Sequence, residues 1–370
     1  MKLTATDGNE QIATYYFYSP EADAAVPTEL PFEHFEYVSH SAGAVENGHL
    51  NVTVTVKRVS RDAFIRLTDT KGRTWEVIKT SCPVGEQFAP GAPERPYLTF
   101  VENGPVSDNT ATFIYSTDAF GGIASLGNPV SAVKDGGIYA IEDTHVSRHA
   151  FRGVVGNGVS GVRSAENASP NFVWTLEATG SNFNVFNEAT GLYIQKLERS
   201  IQAKAADTPH AFSFSYNNAG FWTIQDTQGG LCWDGNEDLT LVGWDSPGHQ
   251  IKIYEIEAYA PYYGINIVER LDGVEISSRS VSVKAGESYK FAANSRPGKA
   301  LVNVTGHEDL DEIYGHKNII VDYTDESGIS EVAADQTPSA TGIYDLNGRR
   351  LNKIVRPGLY IINGVKTLVK

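Results

Sequence analysis

The chain has 370 residues and a formal charge of −15, from 45 acidic against 30 basic residues. That length exceeds what one hydrophobic core spans and implies roughly two to four domains. The acidic balance, uninterrupted by any basic run, disfavours a nucleic-acid partner, whose binding draws on clustered Lys and Arg. A hydrophobic fraction of 41% and an aromatic fraction of 11% exclude a disordered chain. The 35 Gly and 16 Pro favour short strands joined by tight turns, so the expected class is all-β.

The chain opens Met1-Lys2-Leu3-Thr4, which carries no apolar leader, and no stretch approaches the ~20 apolar residues that cross a bilayer. That fits a cytoplasmic protein or the later part of a longer, extracellular one, and the strand-like polar sequence directly after Met1 favours the second expectation. In residues 51–57, Val52, Val54 and Val56 alternate with Thr53 and Thr55, a strand pattern. Residues 63–68 and 74–78 read as a hairpin whose Gly72 supplies the positive φ of a tight turn. Pro83, Pro90, Pro93 and Pro96 mark a loop, and residues 110–116 resume alternation with Phe113 and Tyr115. Residues 1–133 are thus expected to form a β-sandwich-like domain.

Residues 134–259 hold an internal repeat. Pro170, Pro209 and Pro247 are 39 and 38 residues apart, and each leads into a strand-like run containing Trp174, Phe212 or Ile251. Gly191-Leu192-Tyr193 and Gly230-Leu231-Cys232 keep the same step of 39, and residues 183–187 match 221–225 at 38. Residues 137–142 take the opening place of a first copy. Three copies of some 40 residues, each of about four short strands, describe a β-trefoil, because a single copy buries too little to stand alone. On these landmarks the region resembles the ricin-B-type β-trefoil family, most of whose members bind carbohydrate. The Gln-x-Trp triplet that closes each repeat in that family is replaced here by Trp174, Phe212 and Ile251 without the glutamine.

Residues 260–323 alternate through 265–268, 281–284 and 319–323 and suggest a small immunoglobulin-like module. Residues 324–341 form an acidic, polar linker. Residues 342–370 carry Tyr344-Asp345-Leu346-Asn347-Gly348-Arg349 and then Gly358-Leu359-Tyr360-Ile361 before a basic end. This segment resembles the C-terminal sorting domains of type IX-secreted Bacteroidota proteins, which implies a secreted or cell-surface setting.

The third repeat copy contains the candidate binding residues. Trp233-Asp234-Gly235-Asn236 and Gly243-Trp244-Asp245 each join an aromatic face, which stacks on the C–H face of a pyranose, to groups that hydrogen-bond vicinal hydroxyls. The bland alternative packs one Trp in the core and uses Asp to start turns. Tyr193 is the counterpart in the second copy. Asp69-Thr70-Lys71-Gly72-Arg73-Thr74-Trp75 resembles a sialidase Asp-box but is one residue too long and occurs once, so a hairpin turn is expected. Gly156-Asn157-Gly158-Val159-Ser160-Gly161 matches a dinucleotide fingerprint without the helix that would cradle a pyrophosphate. His145 and His149 lie on strand-like sequence, where a spacing of four builds no metal face, and residues 307–312 lack the spacing of a calcium loop. Cys82 and Cys232, 150 residues apart, exclude a disulfide framework and a cysteine-built zinc site.

The expectation is an extracellular, non-catalytic glycan-binding region with no cofactor and no metal, the accessory part of a glycan- or protein-degrading enzyme. Two alternatives stand beside it. One is a glycoside hydrolase, sialidase-like or other, with catalytic residues in or upstream of residues 1–133. The other is an adhesion spacer without sugar binding.

Overall fold

The structure is a computed structural model describing residues 1–7, 10–16, 33–107, 109–145, 149–227, 229–245, 250–325, 342–346, 348–363 and 365–370. Ser246 and Pro247 of the repeat, residues 326–341 of the linker, and Asn347 and Gly364 lie outside them. Among the described residues only Pro170–Phe172 makes a helical turn, and no helix is long and apolar enough to cross a membrane.

Apolar residues at a period of two turn one face of a strand inward, and here they do so in pairs of parallel strands. Val52, Val54 and Val56 on His49–Arg58 meet Leu3 and Ala5 on the parallel strand Lys2–Asp7. Glu10–Tyr16 flanks Lys2–Asp7 and Phe35–Glu46 flanks His49–Arg58, so the sheet runs second, first, fourth, third. The strands Ser60–Asp69, Thr74–Pro83, Thr99–Val106 and Thr110–Ser116 repeat that order, with Leu67 opposite Phe113 in the parallel central pair. It recurs in residues 262–271 of the long strand Ile251–Leu271, with Val274–Lys284, Lys299–Thr305 and Lys317–Asp325, where Ile267 lies opposite Ile319. Residues 1–133 thus contain two copies of one four-stranded unit, and the region expected to be immunoglobulin-like supplies a third.

Between the second and third units, six strands close a barrel. Gly137–Asp143, Trp174–Thr179, Asn182–Asn187, Ala211–Tyr216, Trp222–Asp226 and residues 251–255 are bonded each to the next and the last to the first. Three hairpins complete the threefold set: Ala150–Val155 with Gly158–Val162, Leu192–Ile194 with Ala205–Ala206, and Cys232–Gly235 with Leu241–Trp244. This is a β-trefoil. Trp174, Phe212 and Ile251 occupy its three equivalent core places, each fully or almost fully buried and paired across the barrel with Tyr139, Phe183 and Trp222.

Two details depart from the sequence expectation. The partner of Phe183 in the next copy is Trp222, not Phe221, because it is Trp222 whose backbone pairs with Ile251. Gly137–Asp143 is the second strand of the first copy, not its opening one. The opening strand is residues 251–255, which arrive from the far end of the chain and close the barrel.

The strand that closes the barrel is 21 residues long and runs on into the third four-stranded unit. Along the way it pairs antiparallel with Phe120–Pro129, Tyr262 opposite Phe120. Gly122 permits this approach, since a Cβ there would run into the Tyr262 ring and the Ala168 carbonyl. Trp75, Phe113 and Tyr115 of the second unit, Tyr259 and Tyr263 of the long strand, and Ile319 and Val321 of the third unit belong to one contiguous core. The C-terminal residues form a separate antiparallel sheet of Ile343–Tyr344, Arg350–Leu351, Gly358–Ile362 and Val365–Val369.

Burial of tyrosines gives this core an alkaline limit. Burial pushes the Tyr263 hydroxyl up to about 12. It raises Tyr254 and Tyr259 further, Tyr254 with help from its hydrogen bond to Glu142. A raised folded-state pKa favours the folded chain as long as the phenol stays neutral, so this stability is complete below the unfolded value near 10. It is lost as the pH climbs from about 10 through 12. Urea midpoints by circular dichroism should hold steady up to about pH 10 and then fall. A midpoint unchanged well above that pH would contradict the assignment.

Candidate functional site

Turns opened by an Asp or Asn whose side chain accepts the backbone N–H four residues on recur in this chain. Asp69 accepts the backbone N–H groups of Lys71 and Arg73 at 2.9 Å each, with Gly72 at φ +80°. Asn217, Asn236 and Asp345 make the same closure four residues on, to Phe221, Thr240 and Arg349. The Asp69 segment is therefore one of a set of side-chain-capped hairpin turns. Asn236 is another, with Leu239 at φ 60° in the place of the glycine. Its side-chain oxygen serves its own turn.

The structure separates the two Trp-Asp pairs. Trp233 is 1% exposed and meets Phe212 edge to face at 6.0 Å, so its ring is a core plug with no face for a ligand. Asp234, beside it, is 4% exposed and contributes to the field around Arg152. Arg152 is completely buried. Its Nη2 donates to Asp143 Oδ2 at 3.0 Å and its Nη1 to the Leu239 carbonyl at 2.6 Å, joining the first copy to the third. Burial lowers its pKa, while the Asp143 and Asp234 carboxylates hold it up. Gly235 is required here, because any Cβ would collide with the Arg152 guanidinium. Trp233, Asp234 and Gly235 are thus buried in the structural core of the trefoil, while Asn236 is half-buried at its turn.

Trp244 is different. Of the five tryptophans it alone stands open, at 36% exposure against 5% or less for Trp75, Trp174, Trp222 and Trp233. It ends the third hairpin, opposite Cys232. The Arg199 guanidinium lies over its ring at 4.8 Å and is paired with Asp245 at 2.5 Å. Backbone bonds fix the geometry, since Ser200 donates to the Gly243 carbonyl and Gly243 to the Glu198 carbonyl. Aromatic face, carboxylate and guanidinium are thereby presented together at the surface. Tyr193 lies elsewhere in the trefoil. Its ring rests on Phe186 at 4.7 Å, and burial followed by a hydrogen bond to Glu177 raises its pKa. Of the six expected residues, then, Trp244 and Asp245 come together with Arg199, which the sequence did not single out. The signal available for it was the run Lys196-Leu197-Glu198-Arg199, cation-rich within an acidic chain.

Other candidates find structural partners. His149 Nε2 lies 2.5 Å from Glu142 Oε1, whose Oε2 accepts from the Tyr254 hydroxyl at 2.6 Å. Cys82 and Cys232 are buried free thiols. Among the described residues no group of three or more His, Cys, Asp or Glu is placed to hold a metal ion.

Two solved structures are similar to about a third of this chain. A ricin B-like lectin from Macrolepiota procera, in complex with lactose, is 17% identical over 34% of this chain and 98% of its own, with a TM-score of 0.29. The Rhizoctonia solani agglutinin is 13% identical over 36% of this chain and 98% of its own, with a TM-score of 0.28. No family model and no curated protein matches the chain.

Proposed function

We propose that the trefoil binds glycan at the surface formed by Trp244, Asp245 and Arg199. The observation that carries this reading is the exposure of Trp244 in a domain that otherwise buries its tryptophans. An indole face packs against the apolar face of a sugar ring, and the Asp245 carboxylate and Arg199 guanidinium supply an acceptor and donors at its rim for hydroxyls. The chain as a whole is, on this reading, an extracellular, non-catalytic accessory region that delivers a degradative enzyme to its substrate. The succession of β modules around a trefoil and the sorting-like residues 342–370 support that setting.

The test is a glycan array probed with the chain, followed by titration of the best ligand. Trp244→Ala should weaken binding about tenfold or more, equivalent to about 1.4 kcal/mol, while Trp244→Tyr keeps most of it. An array without hits, or binding indifferent to Trp244→Ala, would leave the adhesion-spacer alternative.

A further inference from the structure

The segment that carries Arg199 onto Trp244 also lines a second feature. A cleft of about 920 Å³ opens between the first and second hairpins of the trefoil, within the size range of small-ligand sites. Asn157, Gln195, Lys196, Gln202 and Lys204 contribute its polar lining, and Val155 and Ile201, 54% and 48% exposed, its apolar lining. The backbone walls are fixed. Val159 donates to the Ala203 carbonyl, Ala205 to the Asn157 carbonyl and Gln195 to the Lys204 carbonyl.

The chemistry of this lining is selective. Gln202 Nε2 donates to the Val159 carbonyl and Ser160 Oγ, and Gln195 Nε2 to the Tyr193 and Thr208 carbonyls. With those donors committed, the amide oxygens remain as acceptors suited to sugar hydroxyls. The donors left to the cleft are the Asn157 amide and the Lys196 and Lys204 ammonium groups, all exposed, and neither lysine makes an ion pair among the described residues. One carboxylate, Glu198, shares the lining. In a chain of charge −15, two unpaired ammonium groups beside one acid form a local positive site. A neutral sugar would satisfy the amide oxygens and leave both cations unmatched. A sugar that also carries an anion would match both, through charge-assisted hydrogen bonds.

We propose that this cleft receives an anionic saccharide unit, a uronic acid or a sulfated sugar, of the same glycan that Trp244 engages. The inference rests on the glycan-binding reading. Gln202 pairs with Val242, two residues before Trp244, so cleft and indole are neighbours along one bridged segment that a single oligosaccharide can span.

Calorimetric titration of the whole chain tests it, with tetragalacturonate, its methyl ester and a sulfated tetrasaccharide as probes at low and high salt. At least one charged probe should bind about tenfold tighter than the ester and lose that advantage at high salt. The Lys196→Gln/Lys204→Gln double variant should lose the same factor while neutral glycans keep their affinity. Which charged probe binds tells carboxylate from sulfate. Equal affinity for ester and acid together with no gain from sulfate, or a double variant that binds like the parent, would overturn the inference. In that case a neutral glycan still lost on Trp244→Ala leaves the glycan reading standing. If no glycan of either kind binds, both fall.

Discussion

Arg152→Ala is expected to cost the trefoil about 3–5 kcal/mol, enough to unfold it at moderate urea, although the residue touches no proposed ligand. The magnitude follows from where the charge sits. Arg152 is completely buried, and Asp143 is 2% exposed. Truncating the arginine leaves the Asp143 carboxylate in a dry interior where, among the described residues, the His145 backbone N–H, 3.1 Å away, still donates to it. It also removes the 2.6 Å bond to the Leu239 carbonyl, which holds the Asn236 turn of the third copy against the first. A buried pair replaced whole by apolar groups is often tolerated, so Arg152→Met with Asp143→Leu should recover much of the loss that Arg152→Met alone incurs. Chemical denaturation of the three variants decides the matter. A loss below about 1 kcal/mol for Arg152→Ala would mean that the guanidinium is solvated, contrary to its burial.

That pair also marks the limit of what could be foreseen. The threefold plan was legible because Trp174, Phe212 and Ile251 recur at a spacing close to the repeat and the core needs one large apolar residue in each copy. The distinction between Trp233 and Trp244 was not. Both precede an aspartate, and only the hairpin settles which ring faces inward: Trp233 is set opposite Gly243 and plugs the core against Phe212, while Trp244 falls on the last residue of its strand. The three four-stranded units were also hidden, for a different reason. Their alternation is ordinary strand patterning, and what defines them is a parallel pairing of the first strand with the fourth, such as Leu3 with Val52 or Leu67 with Phe113. No local signal specifies a partner so far along the chain, and the connections between are of unequal length. The cationic segment 196–204 was visible as residues. Its meaning came only from the hairpins that place Lys196 and Lys204 on one cleft.

The second large effect is expected at the turn that resembled an Asp-box. Arg73→Ala should cost about 3–5 kcal/mol and uncouple the second four-stranded unit from the trefoil. Arg73 is 8% exposed, with its Nε 2.6 Å from Asp69 Oδ2 and its Nη1 3.3 Å from Glu188, which belongs to the trefoil's second copy. Its guanidinium also lies over the Trp75 and Tyr259 rings at 5.2 and 5.8 Å, so it contacts three elements at once. Without it Asp69 remains buried with Trp75 Nε1 and two backbone donors, and Glu188 keeps Lys71 as its partner among the described residues. Glu188→Gln removes the more exposed end of the network and should cost under about 1 kcal/mol, because water screens that pair. Calorimetry of the parent should show the second unit and the trefoil melting together, since the strand Ile251–Leu271 runs from the barrel into the core they share, and Arg73→Ala should split that transition. Glycan affinity at Trp244 should stay unchanged below the first transition, because the indole is held by Arg199 and the third hairpin and not by this latch. An unsplit transition with a midpoint no lower than that of Glu188→Gln would show that the shared strand alone couples the two bodies, with the buried arginine adding nothing.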